Sequence, residues 1–212
     1  MLKKILIGVV AVLVVLAAVI ATRPDTFTIH RAITIAAPPQ IPFTLVNDFH
    51  AWAGWSPWEK LDPAMKKTFN GPPAGPGAQY AWVGNDKVGE GRMTIASSKA
   101  SDEIEIKLEF LKPWEATSQT LFSFKPAGAG TEVLWTMNGH NNFMAKAMCL
   151  FMDMDKMIGP DFERGLGQMK TSAEAEAMRQ AEAARKEAEA AAAAAREKAA
   201  ADATAPAAPA QP

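Results

Sequence analysis

The sequence predicts an α+β protein: an antiparallel sheet closed by a C-terminal helical segment, set behind an N-terminal apolar helix. Three observations predict it. From Asp25 onward the apolar residues recur mostly at every second position, after Asn142 they recur at helical spacing, and before Arg23 the chain carries an unbroken apolar run. A period of two puts alternate side chains on opposite faces of a strand, whereas a 3.6-residue period gathers them into one stripe of a helix.

The N-terminal run comes first. Lys3 and Lys4 precede Ile5 to Ala21, which ends at Thr22-Arg23-Pro24. At ~1.5 Å per helical residue this run is near the short limit for crossing a bilayer core. A cleaved signal peptide usually has a shorter core of about 7–15 residues, and the tolerable site at Val19-Ile20-Ala21 is crowded by apolar residues to its edge. Length therefore favours an uncleaved single-pass anchor over residues 1–23, with a cleaved signal peptide as the alternative. The two lysines should stay in the cytoplasm and send the rest of the chain across the membrane, to the periplasmic face of the inner membrane in a bacterium.

The first strand follows. "TFTIHRAITI" sets Phe27, Ile29, Arg31, Ile33 and Ile35 against Thr28, His30, Ala32 and Thr34. "APPQIPFTLVNDFHAW" then reads as a short helix whose start is set by proline, and Pro57 must stop regular helix in "HAWAGWSPWEKLDP". Strands return in "MKKTFNG", "AQYAWVGN", "GRMTIASSKA", "DEIEIKLEFLKPW", "ATSQTLFSFKPAG" and "TEVLWTMNGHN", separated by Gly, Pro, Asn and Asp. The cleanest is Glu103–Phe110, where Ile104, Ile106, Leu108 and Phe110 oppose Glu103, Glu105, Lys107 and Glu109. Such alternation means one wet and one buried sheet face, as in antiparallel sheets.

After Asn142, Met144, Met148, Phe151 and Met152 share one helical face. Gly159-Pro160 is expected to break this stretch and start the next helix, with Asp161 and Glu163 in its first turn. On that helix Phe162, Leu166, Met169 and Ala173 form an apolar stripe. Gly165 and Gly167 each cost about 1 kcal/mol there against Ala, which makes sense if the helix must approach a sheet closely. From residue 171 to 212 the chain turns to Ala, Glu, Lys, Arg and Gln, then to Pro and Ala. This reads as a solvated helix with pairs such as Glu182–Lys186 and an extended tail, or alternatively a spacer or partner-binding arm.

Composition narrows the function. About half the residues are apolar (49%), enough for a real core, and a formal net charge of −1 removes any electrostatic case for nucleic acid. Cys149 stands alone, which leaves no intrachain disulfide and no thiolate zinc site. His30, His50 and His140 lie in different elements, and the acidic residues Asp153, Asp155, Asp161 and Glu163 lack calcium-loop spacing, so a solvated helix face explains them. "VGEGRM" lacks the lysine of a phosphate loop, and no nucleophile elbow is present. No metal or cofactor is expected.

The order of these pieces carries a resemblance. "RAITIAAPPQIPFTLVNDFHAWAGWSPWEKLDP", "FNGPPAGPGAQYAWVGNDKVGEGRMTI", "GTEVLWTMNG" and "GPDFERGLGQMK" together resemble the START-like (SRPBCC) superfamily, over roughly residues 25–170. The nearest branch is the bacterial polyketide cyclase/dehydrase and lipid-transport group, related to the birch-pollen-allergen fold. The resemblance implies a helix-grip, in which a curved sheet wraps a long C-terminal helix and leaves an apolar cavity between them. Trp52, Trp55 and Trp58 would then plug the end closed by the short helices, each burying ~150–250 Å².

The cavity implied by the resemblance should be lined by inward strand residues: Trp82, Met93 and Ile95; Ile106, Leu108 and Phe110; Phe122 and Phe124; Trp135 and Met137. Met144, Met148 and Met152 would add an adaptable, methionine-rich lid. A filled core with no room for a ligand is the competing expectation. In relatives that cyclise or dehydrate, cavity polar groups orient the reactive chain, a role open here to Tyr80, Arg92, Glu115, Asn138 or His140. No motif places them, so no catalytic residue is assigned. The expected function is a membrane-anchored domain that binds or carries a small hydrophobic ligand (a lipid, quinone or polyketide-like molecule). A cyclase- or dehydratase-type enzyme and a structural, partner-binding protein are the alternatives.

Overall fold

The computed structural model describes residues 1–204, with the side chains of 201–204 left aside, so the Pro-Ala end of the tail lies outside the described residues. Two compact units divide the chain, residues 1–174 and residues 175–212.

The first unit opens with helix α1 (Leu2–Ala21), 20 residues long. At ~1.5 Å per residue that is about 30 Å, the thickness of a bilayer core. Almost all of its side chains are exposed, so it is no core helix, and it is long and apolar enough to cross a membrane. Its end is tied down. Asn141 N–H donates to the Asp25 carbonyl at 2.8 Å, and Lys146 pairs with the Asp25 carboxylate.

Strand β1 (Thr26–Ile35) leads into α2 (Gln40–Asn47) and a 3₁₀ turn at Phe49–Gly54. The Asp48 side chain caps that turn by accepting from His50 N–H at 2.8 Å. Six strands follow: β2 (Lys66–Asn70), β3 (Gln79–Val83), β4 (Glu90–Lys99), β5 (Glu103–Lys112), β6 (Ala116–Ala127) and β7 (Gly130–His140). They form one seven-stranded sheet in the order β1-β7-β6-β5-β4-β3-β2, every pair antiparallel. Among the described residues only the β1–β7 pairing joins distant segments; the rest are sequential hairpins. The inner face carries the expected alternation, with Ile29 and Ile35 on β1, Ile104 and Ile106 on β5, and Phe122 and Phe124 on β6 all buried. A bulge between Ile95 and Ser97 adds one residue to β4 and keeps Met93 and Ile95 inward on one side of it.

Two helices complete the domain, α3 (Phe143–Met148) and α4 (Met154–Thr204). The break between them falls at residues 149–153, not at Gly159-Pro160 as the sequence suggested. Asp153 Oδ1 accepts from Asp155 N–H at 3.0 Å and so starts α4 one turn and a half earlier. Pro160 sits inside the helix, where its missing N–H deprives only the Lys156 carbonyl. Arg31 supplies a tie there. Its guanidinium reaches from β1 to both Asp155 oxygens at 2.8 and 3.0 Å and to Glu163 at 2.7 Å. Two residues of the acidic cluster are therefore a clamp on the sheet rather than a free solvated face. The bidentate geometry makes it a strong, directional contact.

The helix stripe predicted from sequence, Phe162, Leu166, Met169 and Ala173, is buried. Gly165 lies where a Cβ would come within 2.9 Å of Pro57 and 3.1 Å of Trp135, so the helix does need a glycine to approach. Gly167 does not share that reason, because a Cβ there meets nothing within 4 Å. In the second unit, the helix from 178 to 200 is exposed along its described length. Its charges pair as Glu176–Arg179, Glu182–Arg185, Glu182–Lys186 and Arg185–Glu189.

The two glycines give opposite predictions. Gly165→Ala should destabilise the domain by about 1–3 kcal/mol through overpacking. Gly167→Ala should stabilise it by up to about 1 kcal/mol by removing backbone freedom. Denaturant unfolding of the full chain in detergent measures both, and equal effects would contradict the packing described.

Candidate functional site

The inner face of the sheet is divided in two. At one end α2 and the tryptophan segment insert between sheet and helix and make a solid core. Trp55 is completely buried, with its ring edge-on to Phe122 at 6.0 Å and to Trp135 at 5.7 Å. Its indole N–H donates to the Leu45 carbonyl at 2.9 Å, and that of Trp52 to the Val46 carbonyl at 3.0 Å. Both polar handles are satisfied on the backbone of α2, so these rings are built into the seal of the domain, and Trp52 alone of the two also borders the cavity. Phe43 meets Phe124 edge-on at 5.6 Å in the same core.

At the other end the sheet and α4 stand apart beside the stacked rings of Trp135 and Phe162. A cavity of about 260 Å³ lies between them, walled by Trp82, Met93, Leu108, Phe110, Trp135 and Met137 from the strands. Trp52, Trp58 and Met65 come to it from the segment before β2, and Ile158 and Phe162 from α4. The exposed Lys87 on the β3–β4 hairpin and the half-buried Asp161 on α4 also border it, which puts the rim between hairpin and helix.

The predicted lining residues thus separate. Trp82, Met93, Leu108, Phe110, Trp135 and Met137 come together around the space. Ile95, Ile106, Phe122 and Phe124 do not reach it, because α2 and the tryptophan plug cover that half of the face. The methionines are further off. Met144, Met148 and Met152 point outward, Met144 with 64% of its surface exposed, because α3 packs beside the end of α1 instead of across the mouth. Phe151 is more exposed still, at 86%.

One polar corner interrupts the apolar wall. Glu59 borders the cavity with its side chain only 8% exposed. Tyr80, on β3, donates its hydroxyl to Glu59 Oε1 at 2.9 Å, while Lys67, on β2, pairs with Oε2. Burial, and then the bond to Glu59, push the Tyr80 phenol well above its ordinary value near 10. Ser56 and Thr120 are the other buried hydroxyls at the wall. The Trp135 indole N–H is buried with no acceptor among the described residues. Its ring is held from both sides instead, stacked on Phe162 at 4.0 Å and 9° and on Phe122 at 4.9 Å.

Of the five polar side chains named from sequence, only Tyr80 faces this space. Arg92 pairs with Glu109 at 2.9 Å on the outer sheet face, Asn138 accepts from the Thr28 hydroxyl at 2.7 Å, and Glu115 and His140 are exposed. Glu59 escaped the sequence reading because it lies in an irregular segment where no period assigns a face. A charge four residues before a proline, amid the tryptophans, was the available sign. No group of three His, Cys, Asp or Glu that could hold a metal occurs among the described residues.

Comparison with known proteins agrees with this architecture. Residues 26–174 match the family model described as polyketide cyclase / dehydrase and lipid transport. Among solved structures, a Chromobacterium violaceum protein aligns at 15% identity with a TM-score of 0.51, covering 71% of this chain and 98% of its own. An uncharacterised Rhizobium leguminosarum protein aligns at 15% identity and TM-score 0.52, over 71% and 95% of the two chains. A Staphylococcus aureus protein of unknown function does so at 10% and 0.52, over 72% and 96%. At such identities the likeness is one of fold. No curated protein matches the chain.

Tyr80 is the single tyrosine, so its ionisation can be followed directly by ultraviolet difference absorbance. A phenol whose folded pKa exceeds its unfolded one contributes stability that is whole below pH ~10 and is lost as pH rises toward the folded value. The folded chain should therefore stay un-ionised at a pH where the denatured chain already shows tyrosinate. Glu59→Gln should bring the folded titration part of the way back, since burial persists. A folded titration indistinguishable from the denatured one would contradict the corner as described.

Proposed function

The chain belongs to the polyketide cyclase/dehydrase and lipid transport family of the START-like superfamily, and on that premise we propose that it is a membrane-tethered domain that binds a small hydrophobic ligand in the cavity between sheet and α4. The observation that carries this reading is the cavity itself, an unfilled space with aromatic and methionine walls in a domain whose other half is tightly packed. Apolar walls with a few convergent polar groups are the usual make-up of a small-molecule site.

Size restricts the occupant. At about 260 Å³ the space is just under the usual ~300–1,000 Å³ of ligand pockets, which suits a one- or two-ring body or part of one chain better than a whole two-chain lipid. A longer tail would have to leave through the rim beside Lys87.

The tether is α1, and the surface beside it supports the same reading. Phe143, Met144, Phe151 and Met152 are exposed on the segment that packs against the end of α1, where the chain would emerge from the bilayer. Large apolar side chains exposed at such a place favour contact with the lipid interface. The ligand would then be taken from, or delivered to, the membrane that holds the protein.

A cyclase or dehydratase is the second reading, favoured by the Tyr80–Glu59 hydrogen bond in the cavity wall. A buried phenol beside a carboxylate is a positioned proton donor and acceptor pair. Turnover of a hydrophobic polyketone that is lost in Tyr80→Phe, with ligand affinity retained, would select it.

Native mass spectrometry of the full chain released from membranes in detergent tests the binding reading. The wild type should carry an apolar species at close to one per chain. Leu108→Trp, which fills the space, should lose it while keeping the fold. An empty wild type, or an equal load on both proteins, would refute the reading.

A further inference from the structure

The cavity wall carries few polar groups, the Ser56 and Thr120 hydroxyls and the Trp135 indole N–H among them, and one buried carboxylate. Glu59 presents a carboxylate that is more than nine-tenths buried, at the wall of the space. One of its oxygens accepts from Tyr80 and the other pairs with Lys67. A carboxylate offers about four lone-pair sites and no donor. Two accepted bonds leave capacity on both oxygens, and the Tyr80 oxygen, while donating its hydrogen bond to Glu59, keeps acceptor lone pairs of its own. Lys67 does not border the cavity, so it contributes no donor to the space.

We infer that the polar end of the ligand is a hydrogen-bond donor, an alcohol or phenol hydroxyl held by Glu59 and Tyr80, and that carboxylate-headed ligands are rejected. The inference rests on the ligand-binding reading above and narrows it to a chemical class. Lys67 offsets the Glu59 charge, and the other charges around the space lie at the rim. Asp161 borders the rim but pairs with Arg164, and Lys87 is exposed on the opposite lip. At this corner a fatty-acid carboxylate would set acceptor against acceptor, since the Tyr80 hydroxyl and the Lys67 ammonium already donate to Glu59. A hydroxyl there would instead make a bond to a charged acceptor, among the stronger hydrogen bonds in proteins.

The test uses four probes of one alkyl length: 4-butylphenol, 4-butylanisole, butylbenzene and 4-butylbenzoate. Each is titrated by calorimetry into the full chain in nanodiscs, with empty nanodiscs subtracted. The phenol should bind roughly tenfold or more tighter than the anisole, which has the same oxygen but no proton to give, and the benzoate weakest of all. Glu59→Gln should cut phenol affinity about tenfold and leave butylbenzene within about threefold, so that the loss belongs to the donor and not to the wall. Tyr80→Phe should leave the preference for phenol over anisole in place, since Glu59 then has a free oxygen.

Should Glu59→Gln fail to fold, the wild-type order of phenol, anisole and benzoate decides alone. Equal binding of phenol and anisole, or tighter binding of benzoate, overturns the inference while the ligand-binding reading stands. Binding of none of the four brings down both together.

Discussion

The stack of Trp135 on Phe162 sets the distance between sheet and helix, and most of the domain follows from it. The two rings lie 4.0 Å apart and nearly parallel, one from the middle of β7 and one from α4. Phe122 backs Trp135 on its other side, and Trp58 meets both stacked rings edge-on. Each such pair adds ~0.5–1.5 kcal/mol beyond the area it buries. Rings are rigid, so the cluster behaves as a strut. It holds α4 off the strands on one side, while on its other side Gly165 lets the same helix come against Pro57 and Trp135.

A strut of that kind explains how a small domain keeps a hollow. Protein interiors ordinarily close to crystal-like density, and an apolar void forfeits the contacts its walls would otherwise make. Here the walls cannot collapse without unstacking the rings, and the tryptophan plug already fills the part of the interior that α2 covers. The Arg31 clamp on Asp155 and Glu163 holds the start of α4 in place at the domain's surface. Against this background the Glu59 corner stands out as a buried carboxylate in the wall, balanced by Lys67 and bonded by Tyr80, whereas Asp161 and Lys87 lie at the rim. Stability and recognition are therefore assigned to different side chains on the same inner face.

The strands were the most legible part of the sequence, because a one-residue slip would turn each buried face to water and the alternation leaves little choice. Ile104 and Ile106 were placed by that rule alone, and so was the inward turn of Trp135 and Met137. The stripe Phe162-Leu166-Met169-Ala173 was equally plain. What alternation cannot say is what stands opposite an inward residue. Ile95 and Phe122 share their facing with Met93 and Met137, yet the first two meet the plug and the last two meet empty space. The helix boundary at Gly159-Pro160 misled because proline is also tolerated where a clamp from another element supports the turn. The methionines misled for a related reason: Met144 and Met148 lie on α3 and Met152 in the break after it, and all three are exposed. Glu59 lay in irregular chain, out of reach of any period.

Xenon-pressurised crystals of the full chain give the most direct test of the hollow, since an apolar cavity that excludes water takes up xenon. The account predicts xenon density bounded by Trp82, Leu108, Phe110 and Met137, with the Trp135–Phe162 stack intact beside it. Continuous side-chain density across that region with no xenon, and α4 lying flush on the strands, would contradict it.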